Sequence, residues 1–185
     1  MSDRFRRIET RIDGVVLIEP RVIADDRGFF FETFRANEYA DLGIEGPFVQ
    51  DNHSRSVRGT VRALHFQLQP GQGKLVRAAR GAVWDVAVDL RRDSPTYGQY
   101  EAFELSDENA RQVFIPVGFA HGFCVTSDEA DVTYKVTTYY DGPTERGIAF
   151  DDPAIGIPWP TDTPLVSERD RTNPTLKEIA PELPW

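Results

Sequence analysis

The sequence predicts an all-β fold, a sandwich or barrel with a few short helices. Short runs of alternating apolar and polar residues recur along the chain, as expected for strands with one buried face. Gly, Pro and Asp separate these runs at short intervals, which is typical of antiparallel sandwiches and barrels. Helical patterns are few and brief.

The predicted strands follow one another along most of the chain. The clearest is 82–90, in which every second residue starting from Ala82 is apolar. The turn 25–28 precedes a strand that begins at Phe29. The full set comprises residues 15–19, 29–34, 48–52, 61–68, 82–90, 100–105, 113–115, 122–126 and 131–140. We expect a short helix at 35–42, a helical turn capped by Ser106, and weak helical character in 169–179.

Length and composition favour one globular domain. With 185 residues, of which 40% are hydrophobic, the chain can bury a sizeable core. No internal repeat, linker or low-complexity tract divides it. We therefore expect a single domain over residues 1–185, with a Pro-rich tail at 153–185 packing on the barrel.

Charge and cysteine content exclude several classes of function. The net charge of −9 disfavours nucleic acid or an anionic membrane as the main partner. No apolar run is long enough to cross a bilayer, and no apolar segment of a signal peptide follows the first residues. Cys124 is alone, so no internal disulfide or cysteine metal cluster is possible. A cytoplasmic protein is expected.

The strand 60–67 carries the most informative side chains. Regular alternation would place Val61, Ala63, His65 and Gln67 on one face and Arg62 on the other. An imidazole beside an amide suits a wet pocket better than an apolar interior. A single histidine on a strand is more often structural than catalytic, but the basic, glycine-rich segment 71–77 follows at once.

A metal site is the first alternative for His65. Histidine-rich barrels commonly bind a metal through His-X-His with a carboxylate and a later histidine. Here the stretch reads His65-Phe66-Gln67, and an amide is a poor ligand for a transition metal. Only His121, flanked by Gly118 and Gly122, remains as a partner. We expect no catalytic metal and no cofactor.

The strand 131–140 could present two tyrosines to one ligand. If it stays regular, Tyr134 and Tyr140 share a face and lie roughly 20 Å apart, at about 3.3 Å per residue. Cross-strand aromatic packing is the alternative explanation. Several basic residues near these segments could also converge into an anion site within the acidic protein.

Six motifs occur in order from about Val15 to Asp170, most of the chain. They are Asp26-Arg27-Gly28-Phe29-Phe30-Phe31-Glu32, Phe48-Val49-Gln50-Asp51-Asn52-His53-Ser54, Val61-Arg62-Ala63-Leu64-His65-Phe66-Gln67, Gln72-Gly73-Lys74-Leu75-Val76-Arg77, Ile115-Pro116-Val117-Gly118-Phe119-Ala120-His121-Gly122-Phe123 and Tyr134-Lys135-Val136-Thr137. Together they resemble the dTDP-4-dehydrorhamnose 3,5-epimerase family, the deoxysugar epimerase branch of the cupin superfamily.

This resemblance implies a fold, an assembly and a reaction. The fold would be a cupin-type jelly roll, forming a homodimer in which the N-terminal strand region 1–20 reaches the neighbouring subunit. The reaction would be a metal-free conversion of dTDP-4-dehydro-6-deoxy-D-glucose to dTDP-4-dehydro-L-rhamnose. C3 and C5 both flank the C4 ketone, so loss of a proton from either carbon leaves an enolate.

The resemblance also implies roles for individual residues. His65 matches the catalytic base, Tyr134 the acid, Asp170 the carboxylate that orients the histidine, and Lys74 the lysine near the sugar ketone. Tyr140 matches the aromatic residue that stacks on the thymine. The remaining matches are expected to contact the nucleotide sugar, as is Lys74: Arg27, Glu32, Gln50, Asp51, Asn52, Arg62, His121, Glu145 and Arg169.

Three features depart from the pattern or conflict with it. Ala63 stands where the family usually has Gly, and Arg169 where Lys is common. Arg62 and His65 would point to opposite faces of a regular strand, so they share a pocket only if a bulge or the curvature of the barrel intervenes.

Two other functions remain open from the sequence. One is an epimerase that acts at a single carbon or on another nucleotide-linked keto sugar, with the same catalytic pair. The other is a non-catalytic module that binds nucleotide sugars. The combination of Tyr134 and His65 disfavours the module, since binding needs neither an acid nor a base.

Overall fold

A computed structural model of the chain describes residues 4–44 and 46–185. Residues 1–3, part of the region 1–20 expected to contact a second subunit, lie outside the described residues. The strands are β1 Phe5–Ile8, β2 Val16–Pro20, β3 Ile23–Asp25, β4 Gly28–Phe30, β5 Gln50–Val57, β6 Val61–Gln67, β7 Lys74–Arg80, β8 Ala82–Asp89, β9 Tyr100–Ser106, β10 Gln112–Ile115, β11 Phe119–Val125, β12 Glu129–Val136 and β13 Glu145–Gly147. The helices are short: α1 Ala36–Asp41, α2 Glu168–Arg171 and α3 Leu176–Ile179, with 3-10 turns at Gly142–Thr144 and Ala180–Glu182.

Two antiparallel sheets face each other and confirm the predicted all-β jelly-roll sandwich. The six-stranded sheet has the order β1-β2-β10-β7-β12-β5, and the five-stranded sheet the order β13-β6-β11-β8-β9. Strands β3 and β4 form a separate hairpin. Strands that are consecutive in the chain often lie in opposite sheets, so side chains from distant segments meet between them.

The structure differs from the sequence predictions in several elements. Strand β7 was not predicted, because its charged ends and preceding glycines obscure the alternation. The predicted strand 29–34 is reduced to β4, which pairs with β3 across a turn ending at Gly28, whose φ of 127° suits glycine. Strand β12 ends at Val136, four residues before Tyr140.

The end of β12 has a clear physical cause. The backbone N–H of Thr137 donates to the carbonyl of Gly73, and the Thr137 hydroxyl accepts from the N–H of Gly73. The Thr138 hydroxyl then donates to the carbonyl of Gly71. Side-chain hydrogen bonds to the segment 71–73 thus take over from the backbone ladder after Thr137, where the strand ends.

The apolar core fills only part of the space between the sheets. It includes Val76, Val113 and Val132 from the six-stranded sheet and Val83 and Phe123 from the five-stranded sheet. The outer face of the five-stranded sheet is covered by the C-terminal segment, whose Ile155, Leu176, Ile179 and Leu183 join one apolar cluster with strands β6, β8 and β11. Helix α1 covers the outer face of the other sheet through Tyr39.

Candidate active site

A cleft of about 370 Å³ opens between the two sheets where the apolar core ends. Both sheets contribute polar side chains to its walls, since the inward faces of several strands change from apolar to polar at this level. The residues lining it are Gln50, Asn52, Ser54, Arg62, His65, Phe66, Gln67, Gln72, Lys74, His121, Phe123, Tyr134, Tyr140 and Glu145.

An irregularity in β6 brings Arg62 and His65 to the same cleft. His65 pairs with His121 of β11, whereas Arg62 pairs with Phe123, so three steps on β6 oppose two steps on β11. The extra residue forms a β-bulge, which shifts the alternation of inward and outward side chains along β6 by one position. Ala63 and Leu64 therefore turn outward into the apolar cluster beneath the C-terminal segment. The regular alternation expected for this strand was wrong, and the bulge accounts for the difference.

The same bulge explains why alanine is accommodated at position 63. The Ala63 side chain is fully buried and points away from the cleft. Its neighbour across the strands is Gly122, where an added Cβ would lie only 2.5 Å from the Ala63 Cβ. Glycine at 122 leaves the space that the Ala63 methyl group fills.

His65 and Asp170 form a hydrogen-bonded pair at the wall of the cleft. The imidazole Nε2 lies 2.7 Å from Asp170 Oδ1. Burial acts to raise the pKa of Asp170, but hydrogen bonds from His65, from the Ala63 backbone and from Ser167 hold that pKa below its usual value. The ionised carboxylate therefore accepts the Nε2 proton, and Nδ1 is left to face the cleft.

Asp170 reaches His65 from a distant part of the chain. It lies in α2, whose N-cap Ser167 accepts a hydrogen bond from the backbone N–H of Asp170. This cap fixes the first turn of the helix against β6. The carboxylate is almost completely buried, while 26% of the His65 side chain remains exposed to the cleft.

Lys74 is a buried cation at the start of β7. Its Nζ donates to the backbone carbonyl of His65 over 3.1 Å. Burial lowers the pKa of Lys74 to about 8, although the charges of Glu145 and Asp85 oppose this shift. The ammonium therefore predominates at neutral pH, close to the backbone of the histidine.

Tyr134 lines the cleft from β12, where it pairs with Asn52 of β5 and Val76 of β7. Burial raises the pKa of the Tyr134 phenol, with Arg62 opposing and Glu145 reinforcing this effect. The phenol is therefore protonated at neutral pH and can donate a proton. Arg62 is held beside it by a hydrogen bond from Nε to Ser56 Oγ.

A linked cluster stands at the mouth of the cleft. The Tyr140 hydroxyl donates to Glu145 Oε2 over 2.8 Å, and Arg169 Nη2 lies 2.7 Å from the same oxygen. Arg169 itself does not line the cleft but is joined to it through Glu145. The exposed Tyr140 ring is thus fixed at its hydroxyl end.

Gln67 anchors the segment that carries Tyr140. Its Oε1 accepts from the backbone N–H of Asp141 at 3.0 Å, and its Nε2 donates to the carbonyl of Tyr139 at 3.4 Å. Gln72 donates from Nε2 to the carbonyl of Thr138 at 2.9 Å. The amide that replaces the second histidine of a metal motif therefore serves to hold a loop. Within the described ranges, no three His, Cys, Asp or Glu side chains are grouped to hold a metal ion.

His121 belongs to a second histidine–carboxylate pair, which the sequence did not reveal. Its Nε2 lies 2.8 Å from Oδ2 of Asp85 on β8, and both residues are buried. The prediction of β8 used only the apolar residues that alternate from Ala82, and Asp85 lies on the other face of the strand. The opposite face carries Val83, Asp85, Ala87 and Asp89, and two carboxylates facing a core would have been the available signal.

Besides Arg169, three residues expected to contact a ligand lie outside the lining of the cleft. Asp51 is on the opposite face of β5 from Gln50 and Asn52, where Lys135 lies 3.0 Å away, because successive residues of a strand alternate. Arg27 is exposed at the β3–β4 turn, paired with Asp25. Glu32 binds Arg35 at 3.2 Å. Within this subunit, the geometry does not support a substrate contact for any of them.

The remaining expected residues converge. A base candidate backed by a carboxylate, a buried ammonium and a protonated phenol open on one cleft, with Arg62 and an exposed aromatic ring beside them. Such a set can remove a proton next to a carbonyl group, stabilise the oxyanion that forms, and return a proton from another donor.

A sequence model of the dTDP-4-dehydrorhamnose 3,5-epimerase family matches residues 9–178 of the chain. The dTDP-4-dehydrorhamnose 3,5-epimerase of Methanothermobacter thermautotrophicus is 52% identical over 177 residues, which are 94% of this chain and 96% of the relative. The dTDP-4-dehydrorhamnose 3-epimerase of Streptomyces niveus is 46% identical over 169 residues, which are 90% and 82% of the two chains.

The chain is also similar to a solved structure from Legionella pneumophila. That protein is a dTDP-6-deoxy-D-glucose-3,5-epimerase in complex with dTDP-4-keto-L-rhamnose. The TM-score is 0.94 at 48% sequence identity, and the alignment covers 97% of this chain and 96% of the other.

Proposed function

The chain belongs to the dTDP-4-dehydrorhamnose 3,5-epimerase family, and we propose that it converts dTDP-4-dehydro-6-deoxy-D-glucose to dTDP-4-dehydro-L-rhamnose. It is thus an isomerase that inverts C3 and C5 beside the C4 ketone. The observation that carries this proposal is the His65–Asp170 pair, which shares one cleft with Lys74 and Tyr134.

His65 is the base in this proposal. With Nε2 donating to Asp170, the neutral imidazole presents the Nδ1 lone pair to the cleft and accepts the proton from carbon. The buried carboxylate keeps this tautomer and stabilises the imidazolium that forms, as in other His–Asp pairs.

Lys74 and Tyr134 complete the reaction. The Lys74 ammonium faces the C4 oxygen, on which charge accumulates in the enolate, and a buried cation stabilises this charge strongly because little water screens it. Tyr134 delivers a proton to the opposite face of the carbon, so that the configuration inverts. The same residues serve C3 and C5, since both carbons are acidified by the same ketone.

The nucleotide is held at the polar walls and the mouth of the cleft. Arg62 has the planar, charged guanidinium that suits a diphosphate, and His121, Gln50 and Asn52 supply further polar groups. Tyr140, with its hydroxyl tied to Glu145 and Arg169, offers a platform for thymine.

We further propose a single domain that assembles as a homodimer in the cytoplasm. The edge position of β1 and the exposed Phe29 and Phe30 of the hairpin support an interface with a second copy. The net charge of −9 supports a role apart from nucleic acid and membranes. No helix of the described residues has the length and hydropathy needed to span a bilayer.

Proton exchange with solvent tests the proposed reaction directly. The protein is incubated with dTDP-4-dehydro-6-deoxyglucose in heavy water, and the sugar is analysed by NMR. Deuterium at both C3 and C5 is expected. Deuterium at one carbon would instead assign the chain to single-carbon epimerases such as the Streptomyces niveus relative, and tight binding without exchange would refute an enzymatic role.

Two variants separate the base from the acid. His65→Ala should abolish exchange at both carbons, because it removes the imidazole whose tautomer Asp170 holds for proton abstraction. Tyr134→Phe should retain some exchange but lose product with inverted configuration. Full turnover by Tyr134→Phe would remove Tyr134 from the mechanism.

A further inference from the structure

Two buried carboxylates on the inward face of β8, Asp85 and Asp89, differ in the hydrogen bonds that their oxygens accept. Asp89 accepts hydrogen bonds from Arg91, Ser94 and Thr96 and so has a complete set of partners. Asp85 is equally inaccessible to solvent but has one side-chain partner, His121. Among the residues that the structure describes, its second oxygen, Oδ1, is buried and has no hydrogen-bond partner. A carboxylate kept only for structure would be expected to resemble Asp89, because an unsatisfied buried oxygen is destabilising.

The groups around Asp85 are those of the reaction. His121 on β11 and Lys74 on β7 act on Asp85 directly, whereas His65 on β6 acts on His121 and Glu145 on β13 acts on Lys74. Asp85 is the only one of these that lies outside the lining of the cleft. It therefore stands behind the residues that face a ligand.

The protonation of these groups is coupled. Burial lowers the pKa of Lys74 to about 8, and the negative charges of Glu145 and Asp85 act against this. Burial also lowers the pKa of His121. The charge of Asp85 acts to raise this pKa, whereas the charges of Lys74 and His65 act to lower it further. Conversely, burial raises the pKa of Asp85, while His121 and Lys74 oppose it. Loss of the Asp85 charge would thus favour loss of a proton from Lys74.

We propose that Asp85 is a positioning residue for the epimerisation, which orients His121 through Oδ2 and keeps Lys74 in its ammonium form through its charge. The role rests on the proposed function, because the ammonium matters only if an oxyanion develops in the cleft. Asp85 touches no substrate and acts through two residues that do. With Nε2 of His121 donating to Asp85, Nδ1 is the ring nitrogen left for the ligand.

The substitution Asp85→Asn tests this role, since it keeps the shape of the side chain and removes the charge. The basic limb of the kcat/KM profile should move to lower pH by about one unit, the lower end of the shift that a nearby opposite charge causes. At pH 8 the variant should then lose about tenfold in kcat/KM relative to its own value at pH 6.5. A profile that overlays that of the wild type would overturn the proposal.

Asp89→Asn is the matched control, a buried carboxylate on the same face of the same strand. It should lower thermal stability, because Arg91 and Thr96 lose their acceptor, but it should leave the basic limb in place. An equal shift of the limb in both variants would assign the effect to packing of β8 and refute a specific role for Asp85.

NMR on the substrate-free protein gives a test that does not depend on activity or on the folding of Asp85→Asn. In the wild type, long-range nitrogen–proton spectra should show His121 protonated on Nε2 between pH 6 and 8. The opposite tautomer would refute the proposed orientation. If the wild type fails to epimerise its substrate, the proposed function fails, whereas this spectrum still decides whether Asp85 orients His121.

Discussion

Replacing Lys74 by methionine should abolish activity and yet make the protein more stable at neutral pH. Burial lowers the pKa of this lysine from 10.5 to about 8. At about 1.4 kcal/mol for each pH unit between the two values, keeping the charged form in the folded protein costs about 3 kcal/mol. The hydrogen bond from Nζ to the carbonyl of His65 offsets about 1 kcal/mol of this cost. Lys74→Met should therefore raise the free energy of unfolding by about 2 kcal/mol.

The gain should depend on pH with a defined sign. The unfolded lysine keeps its proton up to about pH 10.5, whereas the folded one releases it near 8. Between these values the unfolded state binds more protons, so the stability of the wild type rises with pH. The advantage of Lys74→Met should thus be complete below pH 8 and should shrink as the pH rises toward 10.

Urea unfolding at pH 6.5 and pH 9.5, followed by tryptophan fluorescence at one fixed protein concentration, measures both effects. Lys135→Met is a suitable control, because Lys135 lies on the outer face of β12 and its partner Asp51 is 70% exposed. An exposed pair contributes little, so the control should gain no stability. Destabilisation of Lys74→Met at pH 6.5, or a gain of equal size at both pH values, would refute the reasoning.

Three further outcomes are expected. Asp170→Asn should lower kcat by roughly 10²- to 10⁴-fold with little change in KM, because the tautomer of His65 is no longer held by an anion. Turnover close to that of the wild type in steady-state assays would contradict this. Gln67→Met should raise KM about tenfold and leave kcat within a few-fold of the wild-type value, since two hydrogen bonds to the loop carrying Tyr140 are lost. A fall in kcat alone would contradict the anchoring role of Gln67. Dialysis of the protein against a strong chelator should leave its activity unchanged, and loss that is restored by added metal would disprove the metal-free reaction.

Much of the architecture could be predicted because strand alternation is a local property. The run beginning at Ala82 and the run 100–105 became β8 and β9, since each has enough buried apolar residues to specify its register. Strand β7 and the end of β12 could not be predicted in this way. The first depends on pairing with β10 and β12. The second depends on hydrogen bonds that Thr137 and Thr138 form with a glycine-rich segment.

Within the candidate site, the types of residue could be inferred but not all of their positions. His65, Lys74 and Tyr134 were expected in one pocket through the resemblance of their motifs, and they do line one cleft. Asp51 was expected beside them, but alternation along β5 turns it to the other face. Asp85 was not expected at all, because the sequence of β8 carries no indication of the partner of either carboxylate on its inward face.

The sequence by itself determined the all-β class, the family, and the chemistry available: an imidazole, a phenol and an ammonium. The class follows from local periodicity, the chemistry from residue identity, and the family from the resemblance of six ordered motifs. Only the tertiary structure decided that a bulge in β6 turns Arg62 to the side of His65, that Asp170 supports His65 across 105 positions of sequence, and that Asp85 stands behind His121. Each of these depends on contacts between segments far apart in the chain, and such contacts are set by the packing of two sheets and a C-terminal helix rather than by any local pattern.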